Sequence, residues 1–227
     1  MKISIIVPAK NESRQITRAL ASLQSLRAGG HEIIVVDGES EDNTAALAGP
    51  LSDVVLSSPP WRAKQMNVGA SAASGDVFLF LHADTLVPND LDRLIIDGMH
   101  SQCKYWGRFD VRLDGRHPLL RIVEFMMNWR SRLSGIATGD QGIFVERQLF
   151  QHLGGFSEIP LMEDIDLSRR LKCSAGAPLC LKEKVCTSSR RWEQNGIVRT
   201  ILLMWYLRAA YYFGVAPERL AQLYRGT

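Results

Sequence analysis

The sequence predicts an α/β domain, a mainly parallel β-sheet flanked by helices with further helices at the C-terminal end. Three observations carry this. Short, nearly continuous apolar runs, at residues 3–7 and 33–36, are what strands covered on both faces look like. Between such runs lie segments with apolar residues at helical spacing, so residues 1–100 alternate strand and helix as right-handed β-α-β units do. Beyond residue 100 the texture changes to a period-two segment followed by longer helical stretches.

Taken in order, the first strand covers 3–7 and ends at Pro8. Residues 12–26 place Ile16, Leu20, Leu23 and Leu26 on one helical face, and Gly29-Gly30 stops it. The second strand, 33–36, ends at Asp37-Gly38; Asp42 caps a short helix through Leu47, and 53–56 is a third strand. Residues 62–74 are helical, with Ala63, Met66, Val68, Ala70 and Ala73 as the apolar set. Gly75 closes that helix, and the fourth strand, 77–81, ends in His82-Ala83-Asp84. Tyr105, Phe109, Val111 and Leu113 then alternate with Trp106, Arg108, Asp110 and Arg112, which predicts a half-exposed antiparallel strand. Residues 118–133 are helical with Pro118 in the first turn, 142–145 a short strand, 165–173 a helix, and 197–213 and 217–224 two closing helices. No Pro-, Gly- or Ser-rich linker divides the chain, so 1–227 is expected to form a single domain.

Composition narrows the function classes. With 227 residues, 46% apolar and 22% charged, the chain is neither a disordered tail nor a collagen-like repeat nor a small disulfide scaffold. Lys and Arg number 27 against 24 Asp and Glu, a net charge of +3 without the clustered base that nucleic acid requires. Nucleic acid is therefore not an expected partner. Cys103, Cys173, Cys180 and Cys186 form no C-x-x-C pair and read as free thiols of a reducing compartment. The apolar run after Met1-Lys2 is too short for a signal core, and nothing reaches the roughly 18 to 20 apolar residues of a membrane span. A cytoplasmic protein is expected, either soluble or peripheral to the inner face of the membrane.

In open parallel sheets, ligands bind just beyond the carboxyl ends of the strands. Those ends read Pro8-Ala9-Lys10-Asn11-Glu12, Asp37-Gly38-Glu39-Ser40-Glu41-Asp42 and His82-Ala83-Asp84. One such cluster would serve as a turn or helix cap; three at successive strand ends mark a site. Residues 8–13 contain no glycine, which excludes the dinucleotide G-x-G-x-x-G, and no P-loop is present. A phosphate-bearing ligand would then be neutralised by a carboxylate-held Mg2+ or Mn2+, and Asp84 suits that role.

Five segments in order carry a resemblance: Val7 to Glu12, Val36 to Asp42, Leu81-His82-Ala83-Asp84, Gly154-Gly155-Phe156 and Met162-Glu163-Asp164-Ile165-Asp166-Leu167. Together they resemble glycosyltransferase family 2, over residues 3 to about 192. Arg62 to Ala70 and Arg191-Trp192 are similar to a bacterial subgroup associated with arsenosugar biosynthesis. The resemblance implies a GT-A fold, the nucleotide-diphospho-sugar transferase fold, and a hexosyltransferase-like, inverting transfer from a nucleotide-sugar donor, a UDP-sugar, to an acceptor hydroxyl. It implies that Asp37 meets the nucleotide base, with Pro8, Ala9, Asn11 and Glu12 lining the same pocket. Arg62 and Asn67 would lie beside the nucleotide, Arg191 would clamp the diphosphate, and Asp84 would hold the metal. Asp164, with Glu163 beside it, would supply the base. Residues 1–100 would then form the nucleotide-binding half, 101–192 the acceptor and catalytic half, and 193–227 the C-terminal helices. Two departures stand out: Gly38 replaces the family's frequent second Asp, and His82 its first Asp of D-x-D.

The chemistry asks for this division of labour. A departing diphosphate gains charge as its bond breaks, so a cation there stabilises the transition state. An alcohol is a poor nucleophile until a carboxylate takes its proton, and inversion puts that carboxylate on the opposite face. Two rival functions remain: a sugar-phosphate nucleotidyltransferase, whose first loop would be rich in Gly and Arg, and a non-catalytic scaffold that binds a nucleotide-sugar. The stretch 201–206 is apolar all round, flanked by Arg199 and Arg208, so 201–213 suits a membrane interface, a dimer contact or a core helix. The acceptor, its pocket expected from 105–160, is not legible.

Overall fold

In the computed structural model, residues 1–225 are described. A seven-stranded sheet has the order β3-β2-β1-β4-β6-β5-β7. Its parallel half comprises β1 (Ile3–Ala9), β2 (Glu32–Asp37), β3 (Val54–Ser57) and β4 (Val77–Phe80). Every residue of β1 and β4 is buried, as expected of strands with helices on both faces. Ile3, Ile5 and Val7 point to one core layer with α1 (Ile16–Ala21), α2 (Gln24–Ala28) and α5 (Leu91–Ser101). Ile6, Ile34 and Val36 point to the other, filled by α4 (Arg62–Ala72), Phe78, Phe80 and α8 (Glu163–Ala175). The remaining early helix, α3 (Thr44–Ala48), follows the loop after β2.

The expected helix over 12–26 is two short ones. Ser22 Oγ donates to the Ala19 carbonyl at 2.7 Å and Leu23 N to Leu20 O, a tightened turn that breaks the run between α1 and α2.

The second half differs more. β5 (Trp106–Leu113) pairs antiparallel with β6 (Ile143–Glu146) over two residues, and parallel with β7 (Leu179–Thr187) along its length. The expected half-exposed strand is instead covered over most of its polar side: Trp106 and Arg108 are fully buried and Asp110 half-buried, while Arg112 and Tyr105 are exposed. The reason is α6 (Pro118–Ser134), which closes over the polar side. Arg108 ion-pairs with Asp110 and donates to Asn128 O at 3.1 Å, while Arg132 makes two hydrogen bonds to Asp110 at 2.8 and 2.9 Å. Four elements are not anticipated by the sequence reading: α5, α7 (Arg147–His152), α9 (Arg190–Asn195) and β7, an edge strand with Lys182-Glu183-Lys184 at its centre. The chain closes with α9 (Arg190–Asn195), α10 (Ile197–Tyr212) and α11 (Pro217–Arg225). All four cysteines are free. Among the described residues no helix is long and apolar enough to cross a membrane.

Candidate active site

A cavity of about 750 Å3 opens beyond the carboxyl ends of β1 and β4. Pro8, Ala9 and Glu12 line it from the first strand end, Arg62 from the N-terminus of α4, and Asp84 from the loop after β4. Glu163 and Asp164 enter from the first turn of α8, and Arg191 from α9. The structure thus brings Asp84 and Asp164, far apart in the chain, to one cavity. Met162, just before α8, has φ 70°, and Asn11 and Glu39, in the loops after β1 and β2, have φ 54° and 57°. For residues with a Cβ this left-handed backbone is unfavourable.

Asp164 is fixed by two backbone donors: Gly139 N to Oδ2 at 2.8 Å and Ile165 N to Oδ1 at 2.7 Å. Burial, then the neighbouring charge of Asp164, raises the Glu163 carboxyl above its ordinary value despite Arg62. Burial also raises Glu12, against the Arg190 guanidinium that donates to it at 3.0 Å. Asp84 Oδ1 accepts from Thr187 Oγ1 at 3.3 Å.

Three expected binding residues do not line the cavity. Asn67 uses both ends of its amide on Phe156, donating to its carbonyl and accepting from its N–H at 2.9 Å each, so it clamps the Gly155-Phe156 turn. Asn11 Oδ1 accepts from Glu41 N at 2.9 Å, knitting the loops after β1 and β2. Asp37 Oδ2 accepts from Ser40 N at 3.0 Å, and its buried Oδ1 has no hydrogen-bond partner among the described residues.

Both departures from the family pattern sit in specific local contacts. At Gly38 an added Cβ would lie 2.8 Å from Gln65 Nε2, and that buried amide donates to Ala9 O and Val36 O, tying the ends of β1 and β2. His82 Nδ1 lies 3.1 Å from Asp140 Oδ1. Desolvation would raise Asp140, but the hydrogen bond and charge of His82, with Arg62, hold it below its ordinary value. Sequence reasoning missed Asp140; its signal was Thr138-x-x-Gln141, a capping box around the turn that carries it. It also missed Arg208 and Tyr224, which line the cavity from α10 and α11. Tyr224 stacks under the Arg191 guanidinium, 3.5 Å from its ring centre. Among the described residues no three His, Cys, Asp or Glu side chains are grouped to enclose a metal ion.

The parallel half-sheet, its antiparallel extension and this mixed acid–arginine cavity at the strand ends define a nucleotide-sugar transferase architecture of the GT-A type. S. aureus TarS (residues 1–349), solved in complex with UDP-GlcNAc, shares the fold at a TM-score of 0.69 and 20% identity, over 83% of this chain and 58% of that one. Glucosyl-3-phosphoglycerate synthase from Mycobacterium tuberculosis, solved with Mn2+, UDP and glucosyl-3-phosphoglycerate, matches at 0.61 and 21% identity, over 82% and 70%. The sequence model of glycosyl transferase family 2 matches residues 4–152, and the chain belongs to that family. A beta-monoglucosyldiacylglycerol synthase from Synechocystis sp. is 27% identical, over 86% of this chain and 46% of its own length. The chain therefore spans about half of that relative.

Proposed function

We propose that this protein is an inverting, hexosyltransferase-like glycosyltransferase that moves a sugar from a UDP-sugar to an acceptor hydroxyl, working as one unit in the cytoplasm. The observation that carries this is the convergence of Asp84 and Asp164 on one cavity. Asp164, held by two N–H donors, takes the acceptor's proton. Glu163 crowds it with a second carboxyl. Arg191, backed by Tyr224, and Arg62 face the donor's phosphates. Asp37, at the end of β2, meets the nucleotide base. Residues 1–100 bind the nucleotide, 101–192 the acceptor, and the C-terminal helices wall the cavity.

Asp84 would hold a Mg2+ or Mn2+ ion. A single cavity-facing carboxylate fits such an ion, because these cations take one or two protein carboxylates and complete their shell with phosphate oxygens and water. When bound, the ion neutralises the charge that develops on the leaving diphosphate.

The test is a panel of nucleotide-diphospho-sugars incubated with Mn2+ and cell extract as the acceptor source, scored by free-nucleotide release. We expect release from a UDP-sugar. We expect Asp164→Asn to lower it by about 100-fold or more while calorimetry shows unchanged donor binding. Release at the wild-type rate in that variant would remove Asp164 as base, and pyrophosphate release from UTP and a sugar phosphate would point to a nucleotidyltransferase.

A further inference from the structure

Large apolar side chains that face solvent are not scattered over this molecule. On α6 they fall at Ile122, Phe125, Met126, Trp129 and Leu133, a helical stripe from 37% to 71% exposed. On α10 they fall at Val198, Leu202, Trp205, Tyr206 and Tyr212, followed by Phe213 at 82%. These eleven stand among seventeen exposed large apolar residues in the described chain, far more concentrated than isolated surface residues would be. The two helices share a packed cluster in which Leu120, Val123 and Met127 of α6 meet Ile197 and Ile201. Phe125 and Trp129 stack their rings 6.2 Å apart in the open.

We propose that the outer faces of α6 and α10 dock this protein onto an anionic lipid bilayer. Charge selects the occupant. Arg116, Arg121 and Arg199 are exposed at the N-terminal ends of the two helices. Neither helix exposes a carboxylate: the one acidic residue they contain, Glu124, is buried, accepting from Leu113 N and pairing with Arg121. A second copy of this face would bring no exposed carboxylate on either helix to receive these arginines. Anionic headgroups supply that acid, and the Trp and Tyr side chains suit the headgroup boundary. On α10 the opposite side, at Thr200, Met204 and Arg208, lines the cavity, so docking face and cavity wall are two sides of one helix. With no helix long and apolar enough to cross a bilayer among the described residues, the contact lies along the surface.

Co-flotation of the full chain with phosphatidylglycerol–phosphatidylcholine vesicles tests this without reference to any transfer reaction. We expect binding that falls by about tenfold on pure phosphatidylcholine vesicles or in Arg116→Glu/Arg199→Glu. A similar loss is expected in Trp129→Ser/Trp205→Ser, with circular dichroism and UDP binding unchanged. Absence of flotation with anionic vesicles, or equal flotation by the tryptophan variant, would overturn the proposal. So would a dimer in sedimentation that the same variant disperses, since a second copy would then own the face.

Discussion

Glu163 sits in the first turn of α8 at 6% exposure, and burial followed by the charge of Asp164 raises its carboxyl above the ordinary range. An acid whose folded pKa is raised costs stability as pH climbs above its unfolded value, because the folded state holds the proton longer. We therefore expect Glu163→Gln to melt higher than wild type at pH 8, with the difference vanishing near pH 4, while free-nucleotide release from the donor falls. A lower melting temperature at pH 8 would show that Arg62 and the helix terminus more than offset its burial. At this scale the sequence exposes the strand-end acids but not what holds them. Asp84 and Asp164 stand at the ends of readable elements. Asp140, Arg208 and Gln65 matter through contacts that only folding creates: His82, the cavity wall, and the carbonyls of Ala9 and Val36.

Among the elements, β1, β2 and β4 were legible because their burial on both faces writes a nearly continuous apolar run into the chain. β5 misled because its polar residues read as solvent-facing, whereas Arg108 and Asp110 are satisfied by Asn128 and Arg132 from α6. No local signal announces such tertiary partners. β5 is also where space is tightest. Gly107 pairs with Phe144 and Leu179, and a Cβ there would lie 2.4 Å from the Leu179 carbonyl oxygen and 2.5 Å from Phe144 Cζ. A backbone oxygen in a ladder cannot yield without breaking pairing. Gly107→Ala should cost about 2 kcal/mol, lowering the melting temperature by roughly 4 to 8 °C. An unchanged melting temperature would mean that β7 shifts freely along its edge.

For the molecule as a whole, Glu32 ties the early strands together at the end remote from the cavity. Its carboxylate pairs with Ser4 Oγ and accepts from Ser74 N at 2.6 Å, Gly75 N at 3.1 Å and Lys2 Nζ at 3.3 Å. Desolvation opposes its charge, yet these bonds, led by Ser4, lower its pKa from 4.5 to about 2. A depressed acid contributes stability that is fully present above its unfolded value and lost as pH falls through the folded one. We expect Glu32→Gln to flatten the rise of melting temperature between pH 2 and 4.5; an unaltered profile would assign that rise to other carboxylates. At the opposite end, where α8 to α11 close on the strand ends, the proposed chemistry needs one carboxylate for a donor's diphosphate and another for an acceptor in one chamber, which Asp84 and Asp164 share. Calorimetric titration of UDP into wild type and Asp84→Ala, with and without Mn2+, tests that directly. Wild type should bind UDP at least about tenfold more tightly with Mn2+, and Asp84→Ala should bind it equally with and without the ion. Manganese-dependent binding that survives in Asp84→Ala would contradict the assignment.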